Sequence, residues 1–304
     1  MRTGGGASRV LLVLAALLFS TGGAAIKLAT LSGWQIASYR AGVAALFLWL
    51  VLPGARRGWT WRTLAGGSVY AATVILFVLS NKLTTAANAI LLQSTYPLYL
   101  LLLGPFFLKE KLRAVDLGVI TGVAVGVLVL VSGTEQVVAT APDPARGNLV
   151  ALASGVTWAL TIAVLRWMGK RDGHAESAAA VAIAGNMIAF AVCLPLAMSG
   201  PALNKESAAV IAWLGLFQVG LAYVFLTRSI RHIPAMEAAT LLMIEPVLNP
   251  IWAWIVHGEH PSGLAMAGGG IIMTTAVAGS WVQAAVMSSS AEEPEEVESF
   301  PPPP

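Results

Sequence analysis

The stretch "LLMIEPVLNPIWAWIVHGEH", Leu241 to His260, would dissolve in oil for most of its length, yet Glu245, Pro246 and Pro250 lie in its interior. About 20 apolar residues at about 1.5 Å rise each cross the hydrocarbon of a bilayer. In that setting a charge at a helix centre costs about 2.5–3.5 kcal/mol on insertion scales. Each proline removes a backbone hydrogen bond and bends the helix. The bend reads either as the opening of a cavity, with the prolines as hinges, or as a packing kink in a bundle.

The rest of the chain sets the context. Its 304 residues are 57% hydrophobic and 11% charged, with a mean hydropathy of +0.76. Soluble domains carry about 25% charged residues, so this composition belongs to an integral membrane protein of all-α class. Ten spans are expected, at 9–30, 33–52, 63–81, 86–107, 114–132, 147–169, 175–199, 207–227, 235–256 and 262–283. The N-terminal run resembles a signal peptide in its charge and small residues. Similar runs recur throughout, so it is read as an uncleaved first helix. The tail from 285 to 304 is acidic and proline-rich and is expected to be disordered.

Lys and Arg orient the bundle. With a cytoplasmic N-terminus, thirteen of them fall at cytoplasmic ends and four, Lys27, Lys82, Arg146 and Lys205, at outer ends. Arg40 is left inside the second span, about 10 Å from its outer end at the helical rise. The bias implies a multi-pass membrane protein with both termini cytoplasmic.

Displaced by 149 residues, Pro97 falls on Pro246, Glu110 on Glu259 and Ser80 on Ser229. Displaced by 139, "FSTGGAAIK" (19–27) falls on "WALTIAVLR" (158–166). Two halves of five spans, 1–133 and 134–284, must insert in opposite orientations. That is the inverted repeat of secondary transporters, with the substrate site near the midplane between the halves.

Polar and aromatic side chains at membrane depth are the site candidates. They are Glu245, Trp158, Tyr96, Gln93, Thr161, Tyr70, Tyr223, Asn249 and Tyr99. Glu245 reads as a cavity carboxylate, able to hold a substrate ammonium or carry a coupled proton. Its alternative is a structural acid satisfied by Arg40 or by nearby hydroxyls. Pro97, Pro246 and Pro250 are the candidate hinges, and Glu110, Glu259 and Arg40 the candidate gating residues. Trp34, Trp59, Trp61, Trp213 and Trp281 sit near span ends as interfacial anchors. Gly118, Gly122 and Gly126 offer a close-packing face on the fifth helix, either within a monomer or as a dimer seam.

Other chemistries lack their residues. Zinc-type cysteine spacing, GxxxxGK[ST], GxSxG and HExxH do not occur. Basic residues are scattered at span ends, which does not suit nucleic acid. Cys193 is alone and reads as packing. His257, Glu259 and His260 read as a polar loop rather than a metal site. No cofactor is called for, and ATP is not the direct energy source.

"ALLFSTGGAAIK", Tyr39–Ala41, "TTAANAILLQSTYPLYLLLLGPFFLKEKL" and "IEPVLNPIWAWIVHGE" together resemble the drug/metabolite transporter superfamily, EamA type, over about residues 9–283. Within it the chain is most similar to the YddG-type exporters of aromatic and other amino acids. The resemblance implies a ten-helix inner-membrane exporter working by alternating access, not an enzyme. A central proline followed by a glutamate at the far end of the fourth or ninth helix matches Pro97 with Glu110 and Pro246 with Glu259. The family's Trp in the first helix of each half is met by Trp158, whereas Phe19 departs from it. Rival readings are a sugar-phosphate transporter, which would need central bases beyond Arg40, an intramembrane enzyme and a channel.

Overall fold

A computed structural model of the protein describes residues 5–57, 59–107, 114–133, 137–172, 176–229, 232–233 and 235–292. Those residues are helical almost throughout, and the one β-bridge is the isolated Val138–Ala141 pair. The helices are α1 (Gly5–Ser20), α2 (Gly22–Leu28), α3 (Gly33–Val51), α4 (Trp61–Leu83), α5 (Ala86–Gln93), α6 (Tyr96–Phe107), α7 (Ala114–Ser132), α8 (Pro144–Asp172), α9 (Glu176–Met198), α10 (Lys205–Ala212), α11 (Ala222–Ser229), α12 (Ala235–Leu242), α13 (Ile244–His257) and α14 (Gly263–Glu292). Among the described residues, seven helical stretches are long and apolar enough to cross a membrane, and Asp116–Ser132 and Gly263–Gly279 are shorter apolar helices. The surface of the bundle is apolar as well. Leu46, Leu50, Leu128, Val192 and Ile255 are all exposed, as a lipid-facing surface requires.

Three spans expected to be continuous are interrupted. The first breaks at Thr21, between α1 and α2. Ser20 and Thr21 turn their hydroxyls back onto the carbonyls of Leu17 and Leu18, and Gly22 and Gly23 follow with low helix propensity. The fourth breaks at Ser94–Thr95, whose hydroxyls bond the carbonyls of Ile90 and Leu92. The ninth breaks at Met243. Pro97 and Pro246 then sit in the first turns of α6 and α13, where a missing N–H costs nothing. They start helices after breaks, and Pro250 alone of the three lies inside a helix. In the eighth expected span a π-helical segment, Trp213–Leu221, joins α10 to α11.

Caps set the other ends. Ser32 and Gln35 form a capping box at α3, Thr85 accepts from the Asn88 N–H at α5, and Asn204 accepts from the Ser207 N–H at α10. At the end of the helix chain, α14 runs on to Glu292, into the stretch expected as a disordered tail. Alanines and Met287 in that stretch are good helix formers and extend the last span.

The most extensive packing pairs α7 with α14, α3 with α9 and α4 with both α8 and α9. α1 lies along α11 and α13, the π-helical segment along α3, and α5 and α6 along α8. The small-residue face of α7 is consumed within the chain. A Cβ on Gly122 would strike Thr275, and one on Gly126 would strike Ile272 and the Gly268 carbonyl, whereas Gly118 faces open space.

Candidate functional site

A line of aromatic rings crosses the centre of the bundle. Phe19 on α1 meets Tyr223 on α11 edge-on at 5.6 Å, Tyr223 meets Tyr70 on α4 edge-on at 5.7 Å, and Tyr70 meets Trp158 on α8 at 6.5 Å. These are favourable aromatic geometries. Tyr70 is buried, its hydroxyl interacting with Tyr223 and Asn186, while Trp158 and Tyr223 are half-buried. Phe19, which departs from the family's Trp, therefore sits in the line of rings.

Arg40 is 3% exposed. Its guanidinium donates to the Val74 carbonyl at 3.0 Å and to Gln218 Oε1 at 3.4 Å. Tyr70 and Tyr223 lie within electrostatic range. Glu245, half-buried in the first turn of α13, lies within range of the same Tyr223. Arg40 makes no ion pair among the described residues, and Glu245 makes neither an ion pair nor a hydrogen bond. The reading of Glu245 as a structural acid satisfied by Arg40 is thus not what the fold builds. Among the described residues, a base without an acid and an acid without a base thus lie in electrostatic range of one tyrosine, Tyr223.

Hydroxyls and amides surround this group. Gln93 donates to Ser154 Oγ at 2.7 Å, Ser154 reaches the Thr73 carbonyl at 3.3 Å, and Thr73 and Thr161 hydroxyls are 3.4 Å apart. On the other side, Trp252 Nε1 donates to Ser20 Oγ at 2.9 Å and Trp213 Nε1 to Thr21 Oγ1 at 3.1 Å. Trp213, expected as an interfacial anchor, is exposed and also bonds the residue at the break between α1 and α2. Tyr96 and Tyr99 are half-buried on α6, and no described ring contact involves Tyr99. Asn249 is fully buried, and among the described residues neither atom of its amide has a hydrogen-bond partner.

At one end of the bundle Gly258 ends α13 with φ of +66°, a left-handed cap that suits glycine. Glu259 follows, 7% exposed, and its carboxylate accepts the Ala86 N–H at 2.9 Å and pairs with Lys27 Nζ at 2.7 Å. Lys27 also donates to the carbonyls of Thr84, at 2.8 Å, and Thr140. His257 contacts the Ala24 carbonyl at 2.9 Å, and the His260 ring lies against Trp254. Those three loop residues therefore face three different partners. Glu110, the matching glutamate of the first half, lies outside the described residues.

Gln218, Ser154, Thr73, Asn186 and Lys27 were not among the sequence candidates. Gln218 carries the same signal as Gln93, an amide inside an apolar run.

The EamA-like transporter family matches residues 8–132 and 145–280. The chain belongs to the EamA-like transporter family. The pseudopaline exporter CntI of Pseudomonas aeruginosa strain UCBPP-PA14 is 27% identical over 279 residues, covering 88% of this chain and 94% of the exporter. Its counterpart in strain PAO1 is 26% identical with the same coverage. An uncharacterized transporter of Methanothermobacter thermautotrophicus is 23% identical over 67% of this chain and 59% of that protein. A solved crystal structure shares the fold at a TM-score of 0.58 and 20% identity, covering 95% of this chain and 99% of that one. This EamA-like chain is a multi-pass membrane transporter. The narrower likeness to YddG-type exporters gives way to the coarser family, since these exporters are named for pseudopaline and not for aromatic amino acids.

Proposed function

We propose that this protein is a secondary transporter that exports amino acids, or larger metabolites carrying both amino and carboxylate groups, across the inner membrane by alternating access. Ten spans in two inverted five-helix halves, 1–133 and 134–284, would carry it. The packing supports this arrangement. Exchanging spans one to five with six to ten maps second-on-seventh and fifth-on-tenth onto themselves, third-on-sixth onto eighth-on-first, and fourth-on-sixth onto ninth-on-first. The breaks support it too, because Ser94 and Met243 stand 149 positions apart, the same displacement that aligns Pro97 with Pro246. The ring order Phe19, Tyr223, Tyr70, Trp158 reads first, eighth, third, sixth, which the same exchange reverses onto itself.

The observation that carries the substrate class is the unpaired couple. Buried charges are costly unless paired. Arg40 without a carboxylate and Glu245 without a base fit a ligand that supplies both missing partners, with the aromatic line against its side chain. Free amino groups would meet Glu245 and carboxylates Arg40. The unpaired acid equally suits coupling to a proton, and flux with and without a pH gradient separates the two roles. No cofactor enters this cycle.

Flux into proteoliposomes tests the reading, with labelled amino acids run beside their decarboxylated and deaminated analogues. Zwitterions are expected to outrun both analogues. Charge-assisted hydrogen bonds contribute about 1.5–3 kcal/mol, so Glu245→Gln should reduce amino-acid flux about 10- to 100-fold. Equal transport of all three classes by the wild-type protein, or undiminished amino-acid flux through the Glu245→Gln protein, would overturn the assignment.

A further inference from the structure

The end of the bundle holding Lys27 and Glu259 contains two opposed features in one seam. α2, α5 and α13 pack together there. The Lys27–Glu259 pair is almost fully enclosed, with side chains 2% and 4% exposed. Its carboxylate also takes the Ala86 N–H, the first donor of α5, and its ammonium takes carbonyls at Thr84 and Thr140. One ion pair thus joins the end of the first span, the turn before the fourth, the loop before the sixth and the end of the ninth. Deeper in the same seam, Asn249 and Ala86 both lie close to Gly23, and neither Asn249 amide atom is bonded among the described residues. A buried amide without partners is a penalty that hydration would remove. In this arrangement the pair is closed and enclosed, whereas the amide lies buried without a hydrogen bond among the described residues.

We infer that the seam is the gate on this side of the membrane, latched by Lys27, Glu259 and the α5 N-terminus, and opposed by Asn249. The inference rests on the alternating-access reading above. The breaks at Thr21 and Ser94–Thr95 let α2 and α5 move while α1 and α6 stay packed. A latch with no opposing penalty would lock the transporter shut. Asn249 brings the two states closer in free energy, and a transporter must visit both within each cycle. The other end of the same helix pair differs. Arg9 pairs with Glu237 there, with side chains 56% and 32% exposed, and exposed pairs contribute little.

Thiol labelling tests the inference without any knowledge of the substrate. Cys193→Ala removes the native thiol, and Ala89→Cys puts a reporter three residues from Ala86 on the same face of α5, at a position that is fully buried. Purified protein is then reacted with a polar maleimide. Lys27→Met and Glu259→Gln should each speed labelling at least about tenfold. Asn249→Ala should slow it about tenfold. Unchanged labelling in both latch variants overturns the latch, and faster or unchanged labelling in Asn249→Ala overturns its opposing role. Size-exclusion profiles identify a variant that has not folded, and the second latch variant then decides. Failed amino-acid flux by the wild-type protein with shifted labelling in the latch variants counts against the transport reading alone. Normal wild-type flux with unshifted labelling in the latch variants counts against the gate alone.

Discussion

A methyl group on Gly23 probes the contact on which the closed seam depends. Built onto this backbone, the Cβ of Gly23→Ala falls onto Asn249 Oδ1, 2.9 Å from Ala86 Cβ and 3.1 Å from Asn249 Cγ. Those neighbours belong to different helices, α13 and α5, so the first span cannot escape one by moving toward the other. Ala86 cannot yield easily, because its N–H is held by Glu259. Asn249 has no hydrogen bond to lose, but it is fully buried, so any rotation must displace packed neighbours. Overpacking of this kind costs about 1–3 kcal/mol. Replacing a helical glycine with alanine returns up to about 1 kcal/mol through propensity, leaving a net loss of up to about 2 kcal/mol. At about 2–4 °C per kcal/mol for a large domain, the Tm of the purified protein should drop by up to about 8 °C. Scanning fluorimetry in a mild detergent measures this, with wild type and Gly270→Ala, which meets open space, as controls. A Gly23→Ala protein melting with or above the Gly270→Ala control would refute the tight three-helix contact.

Two further outcomes follow from other contacts. Gly122→Ala and Gly126→Ala should each lower Tm by several degrees, since their Cβ atoms meet Thr275 and the α14 backbone, whereas Gly118→Ala should leave it unchanged or raise it; the same melting assay orders the three. Phe19→Trp, which restores the residue type of Trp158 at the matching position, should keep at least about half of the flux, while Phe19→Ala should lose about tenfold through the missing ring contact with Tyr223. Proteoliposome flux normalised to reconstituted protein reads both.

Much of this site was legible because membrane depth makes polarity conspicuous. Glu245, Gln93, Thr161, Tyr70, Tyr223 and Trp158 were picked out by type and depth; the fold puts Tyr70, Tyr223 and Trp158 in one line of rings and joins Gln93 to Thr161 through Ser154 and Thr73. The displacement of 149 residues also carried information beyond its prolines. It aligns Ser80 with Ser229, and both hydroxyls bond back to a phenylalanine carbonyl on their own helix, Phe77 and Phe225. What could not be read was continuity. A run such as "LLFSTGGAAIK" stays apolar on average across Thr21, so hydropathy passes over a break that two hydroxyls and two glycines create. The pairing of Lys27 with Glu259 was out of reach for a different reason. Charge counting assigns both residues to the same side, but only the tertiary fold brings residue 27 to residue 259.

Phe19 shows how inverted symmetry limits inference from a single motif. Judged against the family's Trp, it counted against a site role. Judged by position, residues 19 and 158 are equivalent under the 139-residue displacement, and both are large aromatics at the two ends of one line of rings. The physical requirement at those ends is a flat apolar ring at van der Waals distance from a tyrosine, which phenylalanine meets as well as tryptophan does. An indole differs chiefly in its N–H donor, and the first span does not need one of its own there. Trp213 and Trp252 deliver two indole donors to Thr21 and Ser20, the residues that follow Phe19. Indole donors thus reach the residues that follow Phe19 from the eighth and ninth expected spans, and the ring at position 19 is left with an apolar contact alone.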